Sequence, residues 1–386
     1  VARFEQALGE YLGVPHLFFA SSGRTAFRLL LAALLRRPQL QGRSKVIIPG
    51  YTCPAVAKVI LDAGLTPQLV DMEPESFTYS AAALSEAVGP DTLAIVVVHP
   101  FGIPVAMAPA LAAARSVGAL VIEDAAQAMG ARVEGRHVGT RGHVGLYSLG
   151  PGKPLALGGG GVVVTSDDQL AAALAQEWAD LPPDSTLQSA LAWMRMGLFS
   201  LAFQPPVWWV AKRLGAQQVG ANEASWGYQM SRFAASQAAV GLAMLPRLDA
   251  INAVRREHAR QLLAGLAGFT SLLSPGVAKL SRSQVDSIGA QPIEQSKEPI
   301  FLRLPLLTST QAQADSIARA LAAAGIGVGR MYGRTIGEFF PQLAGAPMPG
   351  SERVARTLLT LPTNHYVQVE DIERIPELIR GALIAD

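Results

Sequence analysis

A single cysteine, Cys53, stands in a chain of 386 residues, which excludes an internal disulfide and any thiolate-rich metal centre. The six histidines are dispersed with no pair at metal-ligand spacing, so no metal is expected. Charge is sparse and balanced: 32 Lys and Arg against 30 Asp and Glu leave +2 at neutral pH, and no block of five or six like charges occurs. A nucleic-acid footprint and a polybasic anchor are both missing, so no nucleic-acid partner is expected and small molecules are the expected ligands. An uninterrupted hydrophobic span is lacking too. The longest apolar region, Leu187 to Leu214, is broken by Arg195, by Pro205-Pro206 and by Lys212-Arg213, which argues against a bilayer-spanning helix. That region reads as a helical lid or subunit contact, or else as an interfacial helix or a channel for an apolar substrate. Membrane contact is not expected, although this insert leaves it open. The opening residues VARFEQALGEYLGV read as an amphipathic helix with Phe4, Ala7, Leu8, Tyr11 and Leu12 on one face, not as an export signal. Together with the lone cysteine, this points to a reducing, cytoplasmic setting.

Half of the chain is apolar, enough for a sizeable core. From Leu17 to Thr165, short apolar runs (LFFA, KVIIP, PQLVD, LAIVVV, ALVIED, VGLYSL, GVVVT) are interleaved with helix-period segments. That alternation predicts an α/β fold, a mostly parallel central sheet with helices on both faces. After an irregular stretch at 181–226, a long helical pattern is expected from Met230 to Leu266. A strand (PIFLRLPLL), a helix from Gln311 to Ala324 and a closing helix from Val369 to Ala385 then form a smaller α+β unit. The expected division is a large domain over 1–245 that includes the apolar insert, and a small domain over 246–386. Ser281 to Lys297 reads as a polar loop.

Nucleotide fingerprints fail. The run Gly158 to Gly161 leads into a strand and lacks the third spaced glycine, SSGRTA lacks it as well, and Lys153 is followed by Pro154 where a Walker loop needs Ser or Thr. Three elements remain. Ser21-Ser22-Gly23-Arg24-Thr25-Ala26 lies between a strand and a helix, where backbone N–H groups and the helix dipole suit a phosphate, although ordinary capping gives the same pattern. VIEDAAQAMG places Asp124 at the carboxyl edge of the sheet, with Glu123 turned to the other side and Gln127 three residues on. Tyr147-Ser148-Leu149-Gly150-Pro151-Gly152-Lys153 sets one lysine in a glycine-lined loop, where an amine held near cations or desolvated can form a Schiff base.

In that order, SSGRTA, IIPGYTCPAV, VVVHPFG, IEDAAQAMGA, the Ser-to-Lys loop and LGGGGVVVT resemble the DegT/DnrJ/EryC1/StrS family of sugar aminotransferases. The resemblance extends over nearly the whole chain and implies a fold type I, pyridoxal 5'-phosphate (PLP)-dependent aminotransferase. It implies that Lys153 carries the cofactor and acts as base and acid, that Asp124 pairs with the pyridine nitrogen and Gln127 contacts the ring oxygen. Ser148 and the Gly23-Arg24-Thr25 turn would hold the phosphate. Cys53 stands where relatives often stack an aromatic ring on the cofactor. Tyr228 and Gln229 occupy the segment that reaches the substrate from a partner subunit, and Arg330 and Arg334 are candidates for binding a substrate anion. His99 is expected to be structural. The implied reaction moves an amino group from an amino acid, with glutamate first in line, to a keto group of a sugar, nucleotide-linked or otherwise, within a homodimer. The alternatives are a PLP-dependent lyase or dehydratase of the same fold, and a non-catalytic regulatory or assembly paralogue. The retained Lys153 argues against the dehydratase branch, which carries histidine there.

Overall fold

A computed structural model describes residues 1–183, 227–266 and 297–384, with isolated positions between 184 and 226. The apolar insert expected over 181–226 and the polar loop expected from Ser281 to Lys297 lie outside the described residues, apart from their ends and those isolated positions.

Counting strands of five or more residues, the central sheet comprises β1 (His16–Ala20), β2 (Lys45–Pro49), β3 (Thr66–Val70), β4 (Thr92–Val98), β5 (Leu120–Asp124), β6 (Val144–Ser148) and β7 (Gly161–Thr165). Their order across the sheet is β1-β7-β6-β5-β4-β2-β3. β7 runs antiparallel to both of its neighbours and every other pairing among β2 to β6 is parallel. The chain order reverses between β2 and β4, and a crevice at the carboxyl ends beside such a reversal is where open α/β sheets bind ligands.

The continuous apolar runs arise because both faces of the sheet are covered. Val46, Ile48, Ala94, Val96 and Ile122 pack under α2 (Gly23–Leu35), α3 (Pro54–Asp62) and the helix Asp168–Ala179. Their alternating neighbours Ile47, Ile95, Val97 and Val121 face the helix Ala108–Val117 and the C-terminal unit. The first helix, α1 (Ala2–Leu12), buries Phe4, Leu8 and Leu12 against a third apolar cluster.

In the C-terminal unit an antiparallel pair, β8 (Arg303–Leu307) and β9 (Leu358–Pro362), is covered by helices at Gln311–Ala323 and Val369–Ile384. Its core is continuous with the lower face of the large sheet. Polar ties reinforce the junction. Asp71, just past β3, accepts from the N–H groups of Gly350 and Ser351 at 2.9 and 2.8 Å, at the N-terminus of the helix Pro349–Thr357. Ile336 N donates to Gly50 O at 2.8 Å.

Two expectations need correction. The single helix from Met230 to Leu266 is instead an extended approach, a helix at Ala235–Met244, a 3-10 turn at Leu245–Arg247 and a helix at Leu248–Gly265. Pro246 has no N–H to continue the ladder, and residues 229–232 are drawn against the end of β1, where Ala20 bridges Arg232. The strand expected from Pro299 starts only at Arg303, because Phe301 has a φ of 48°, outside the extended region. Among the described residues, no helix is long and apolar enough to cross a membrane.

Candidate active site

Asp124 closes β5 with its carboxyl at the sheet edge, 7% exposed, its Oδ1 accepting from Ala126 N at 3.0 Å. Burial pushes this carboxyl above its ordinary range, while the Ala126 N–H, the Lys153 ammonium and His99 pull the other way. Pleating sends Glu123 to the opposite side, fully buried. Its Oε2 accepts from Arg141 N at 2.8 Å and Gly142 N at 2.9 Å. His99 Nδ1 accepts from Val105 N at 3.1 Å, which leaves the ring proton on Nε2, 3.1 Å from Glu123 Oε1. That last contact is short but bent away from good hydrogen-bond geometry. His99 thus sits beneath the sheet edge as part of the scaffold. Burial opposes the Glu123 charge, but His99 and the surrounding N–H groups outweigh it and hold the carboxyl below its ordinary value.

Gln127 follows on the same turn. Its Oε1 accepts from Phe101 N at 3.0 Å and its Nε2 donates to Tyr332 Oη at 3.2 Å. Tyr332 comes from the C-terminal unit, its ring 5.5 Å from that of Tyr51 at an interplanar angle of 57°. Cys53, the N-cap of α3, lies beside Tyr332 and is close enough to Lys153 and Asp124 to feel both charges. Burial pushes the Cys53 thiol up, and Lys153 opposes it. The buried Thr52 hydroxyl has no hydrogen-bond partner, and the Tyr51 hydroxyl has only the Tyr332 backbone beside it.

The turn after β1 is tightly built. Ser22 caps α2, its Oγ accepting from Thr25 N at 3.1 Å. Gly160 N donates to Ser21 O at 2.9 Å, joining this turn to the loop that bears Lys153, and Leu149 N donates to Gly160 O at 2.9 Å. A Cβ on Gly161 would lie 2.5 Å from Gly23 Cα and 2.6 Å from Gly23 N, so only glycine allows the two segments to approach. A Cβ on Gly23 would meet Ser148 Oγ at 3.5 Å, which puts the serine hydroxyl at the mouth of the turn. Lys153 N donates to Gly150 O at 3.2 Å, and the loop is pinned from behind by Gln237 Nε2 on Leu157 O at 2.9 Å. Phosphate-suited turn, Ser148, Lys153, Asp124, Gln127 and Cys53 therefore share one sheet edge.

The remaining candidates are placed differently. Gln229 seats its backbone on the turn, its O accepting from Ser21 Oγ at 2.7 Å and Thr25 Oγ1 at 2.8 Å, with its own side chain exposed. Tyr228 is half-buried under the Arg24 guanidinium, 5.5 Å from the ring centroid. Arg330 and Arg334 do not converge. Arg330 pairs with Asp315, and the exposed Arg334 lies over the Phe339 ring at 4.1 Å. The residue that this loop delivers to the site is Tyr332, which lies between the two arginines in the chain. No spacing signal could have singled it out, because its partners are Gln127 and Tyr51, far away in the chain.

Comparison with known proteins agrees with this architecture. The model of the DegT/DnrJ/EryC1/StrS aminotransferase family matches residues 1–380. GDP-perosamine synthase of Caulobacter vibrioides is 39% identical over 172 residues, covering 45% of this chain and 45% of that one. L-glutamine:2-deoxy-scyllo-inosose aminotransferase of Streptoalloteichus tenebrarius is 31% identical over 312 residues, covering 80% of this chain and 66% of that one. The first curated relatives are matched over less than half of their own length, for example 33% of Protein MosB of Rhizobium meliloti. Among solved structures, S. venezuelae DesV, determined in complex with a ketimine intermediate, superposes with a TM-score of 0.72 at 26% identity, covering 98% of this chain and 88% of that one. Sheet order, site geometry and a match along almost the entire sequence lead to one conclusion: the chain belongs to the DegT/DnrJ/EryC1/StrS aminotransferase family.

Proposed function

We propose that this chain is a PLP-dependent aminotransferase that moves an amino group from an amino-acid donor, glutamate first in line, to a keto group of a sugar or sugar-like metabolite. The observation that carries the reading is the gathering of a phosphate-suited turn, a buried carboxyl, a fixed amide and a lysine loop at one sheet edge. Two observations support a fit to the cofactor: a Cβ on Gly161 would crowd Gly23 at the helix N-terminus, and the buried Thr52 hydroxyl, next to Cys53, has no hydrogen-bond partner. The sugar-directed names of the relatives support the acceptor class, nucleotide-linked sugars included. A homodimer, a cytoplasmic setting and the division into 1–245 and 246–386 belong to the same proposal.

In this reading Gly23, Arg24, Thr25 and Ser148 would hold the phosphate, Asp124 the pyridine nitrogen, Gln127 the ring oxygen and Lys153 the aldehyde carbon, and Cys53 would lie beside the ring. Bound there, PLP supplies an electron sink for bond-breaking at the donor's α-carbon. Asp124 keeps a proton on the ring nitrogen by charge. Once the donor's amine has displaced Lys153 from the aldehyde carbon, the freed Nζ would take the proton from the donor's α-carbon, and in the second half of the cycle would deliver one to the former carbonyl carbon of the acceptor. Tyr228 and Gln229 belong to the substrate side. An anion that recruited Arg330 or Arg334 would first have to displace Asp315 or lift the guanidinium off Phe339.

The test is the visible spectrum of wild type and Lys153→Ala with added PLP, before and after borohydride, followed by nitrogen transfer from glutamate. A band fixed to Lys153 by borohydride and absent from the variant, with stoichiometric amine in a ketone acceptor, is the expected result. Folded wild type that binds no PLP defeats the proposal. Binding with elimination and no nitrogen transfer favours a lyase or dehydratase, and binding without turnover a regulatory paralogue.

A further inference from the structure

The Gln127 amide has only one possible orientation. Its oxygen takes the Phe101 N–H at 3.0 Å, and a backbone N–H can only donate, so Nε2 must face Tyr332 Oη at 3.2 Å. The tyrosine hydroxyl is therefore the acceptor in this contact. One hydrogen of Nε2 is spent on Tyr332, and the second is left for an occupant of the site.

The backbone that brings Tyr332 here is an unusual one. Met331, immediately before it, has a φ of 51°, and Phe101, the other partner of Gln127, has a φ of 59°. Non-glycine residues hold this conformation only where their surroundings over-determine it. The surroundings do so on both sides of the tyrosine. Gly329 and Thr360 exchange backbone bonds at 3.1 and 2.8 Å, Arg330 pairs with Asp315, Gly333 N donates to Arg330 O at 3.2 Å, and Ile336 N reaches Gly50 O at 2.8 Å. The loop is thus fastened both to the C-terminal sheet and to the end of β2, and between those fastenings Tyr332 leans on Tyr51, 5.5 Å between ring centres.

We propose that Tyr332 is a positioning residue for Gln127. By accepting one amide hydrogen it turns the other toward the cofactor's ring oxygen, so that a residue of the C-terminal unit sets the hydrogen bonding of a group bound at the large sheet. This rests on the reading of the chain as a PLP enzyme. If Tyr332 merely fills space against Tyr51, its ring matters and its hydroxyl does not.

Tyr332→Phe separates the two, since it keeps the ring and removes the acceptor. The expected result is a Kd for PLP raised about five- to tenfold, the worth of one part-buried hydrogen bond. The pH midpoint of the bound cofactor's visible band should move upward by about half a unit or more, because a ring oxygen with a weaker donor holds its shared proton more tightly. In a Gln127→Ala background the same substitution should change neither quantity further. Unchanged Kd and midpoint in Tyr332→Phe, with apo-protein thermal unfolding like wild type, would overturn the proposal and leave PLP binding intact. Equal losses in both backgrounds would overturn it too, since Tyr332 would then act without Gln127. Wild type that binds no PLP defeats the underlying functional reading, and this proposal with it.

Discussion

Glu123 and Asp124 are consecutive residues whose carboxyls leave β5 on opposite faces and meet opposite electrostatic surroundings. Glu123 is surrounded by donors that hold its charge in place. Asp124 receives one backbone N–H, and burial works against its charge. A carboxyl kept costly to ionise suits a residue that is to meet a cation on a ligand, whereas a carboxyl whose charge is already held by backbone N–H groups on one oxygen suits a scaffold.

Asp124→Asn should therefore stabilise the apo-protein and disable the enzyme. The folded pKa of Asp124 is raised, so its contribution is most favourable below the unfolded value and is lost as pH rises through the folded one. Apo Asp124→Asn should be more stable than wild type at neutral pH, with the gap closing in acid. Transamination should fall by about 10²-fold or more. Chemical unfolding of both apo-proteins across pH, set beside turnover with glutamate, checks both halves; a variant less stable at neutral pH contradicts the account.

Glu123→Gln should do the reverse. Its folded pKa is depressed, so the stability it contributes is present above the unfolded value and lost as pH falls through the folded one. The amide offers one acceptor where the carboxylate offered two, so the loss at neutral pH should be about 1–3 kcal/mol. In strong acid the variant and wild type should converge. A constant difference at every pH would show that Glu123 acts through packing alone.

Gly161→Ala tests the turn. The added methyl would stand 2.5 Å from Gly23 Cα and 2.6 Å from Ser22 O, and neither backbone atom can swing aside. Overpacking of this kind costs about 1–3 kcal/mol. Because the strain falls on the phosphate-suited turn, PLP affinity should fall along with stability. Wild-type PLP affinity in this variant would separate Gly23 from the phosphate site.

The sheet was legible because its strands are buried on both faces. Runs such as LAIVVV and ALVI have no polar position to blur them, and the charged pair Glu123-Asp124 comes only where the second run reaches the carboxyl edge. Asp124 and Gln127 could be read from their distance to that edge. Pro246 was equally visible, yet the helical period on either side hid the break, and Phe301 gave no local sign of its left-handed backbone.

What the sequence determined by itself was the succession of strands along the chain and the motifs that follow them, since apolar periodicity and turn residues are properties of neighbours in the chain. Which side chains converge was decided only in three dimensions. The loop from Gly329 to Thr335 offers two arginines and a tyrosine, and charge alone favours the arginines. Asp315 and Phe339 take the arginines, and Gln127 takes the tyrosine. Asp315 and Phe339 are near their arginines in the chain, but Gln127 and Tyr332 lie 205 residues apart and meet at 3.2 Å, a hydrogen-bond distance that only the tertiary structure sets.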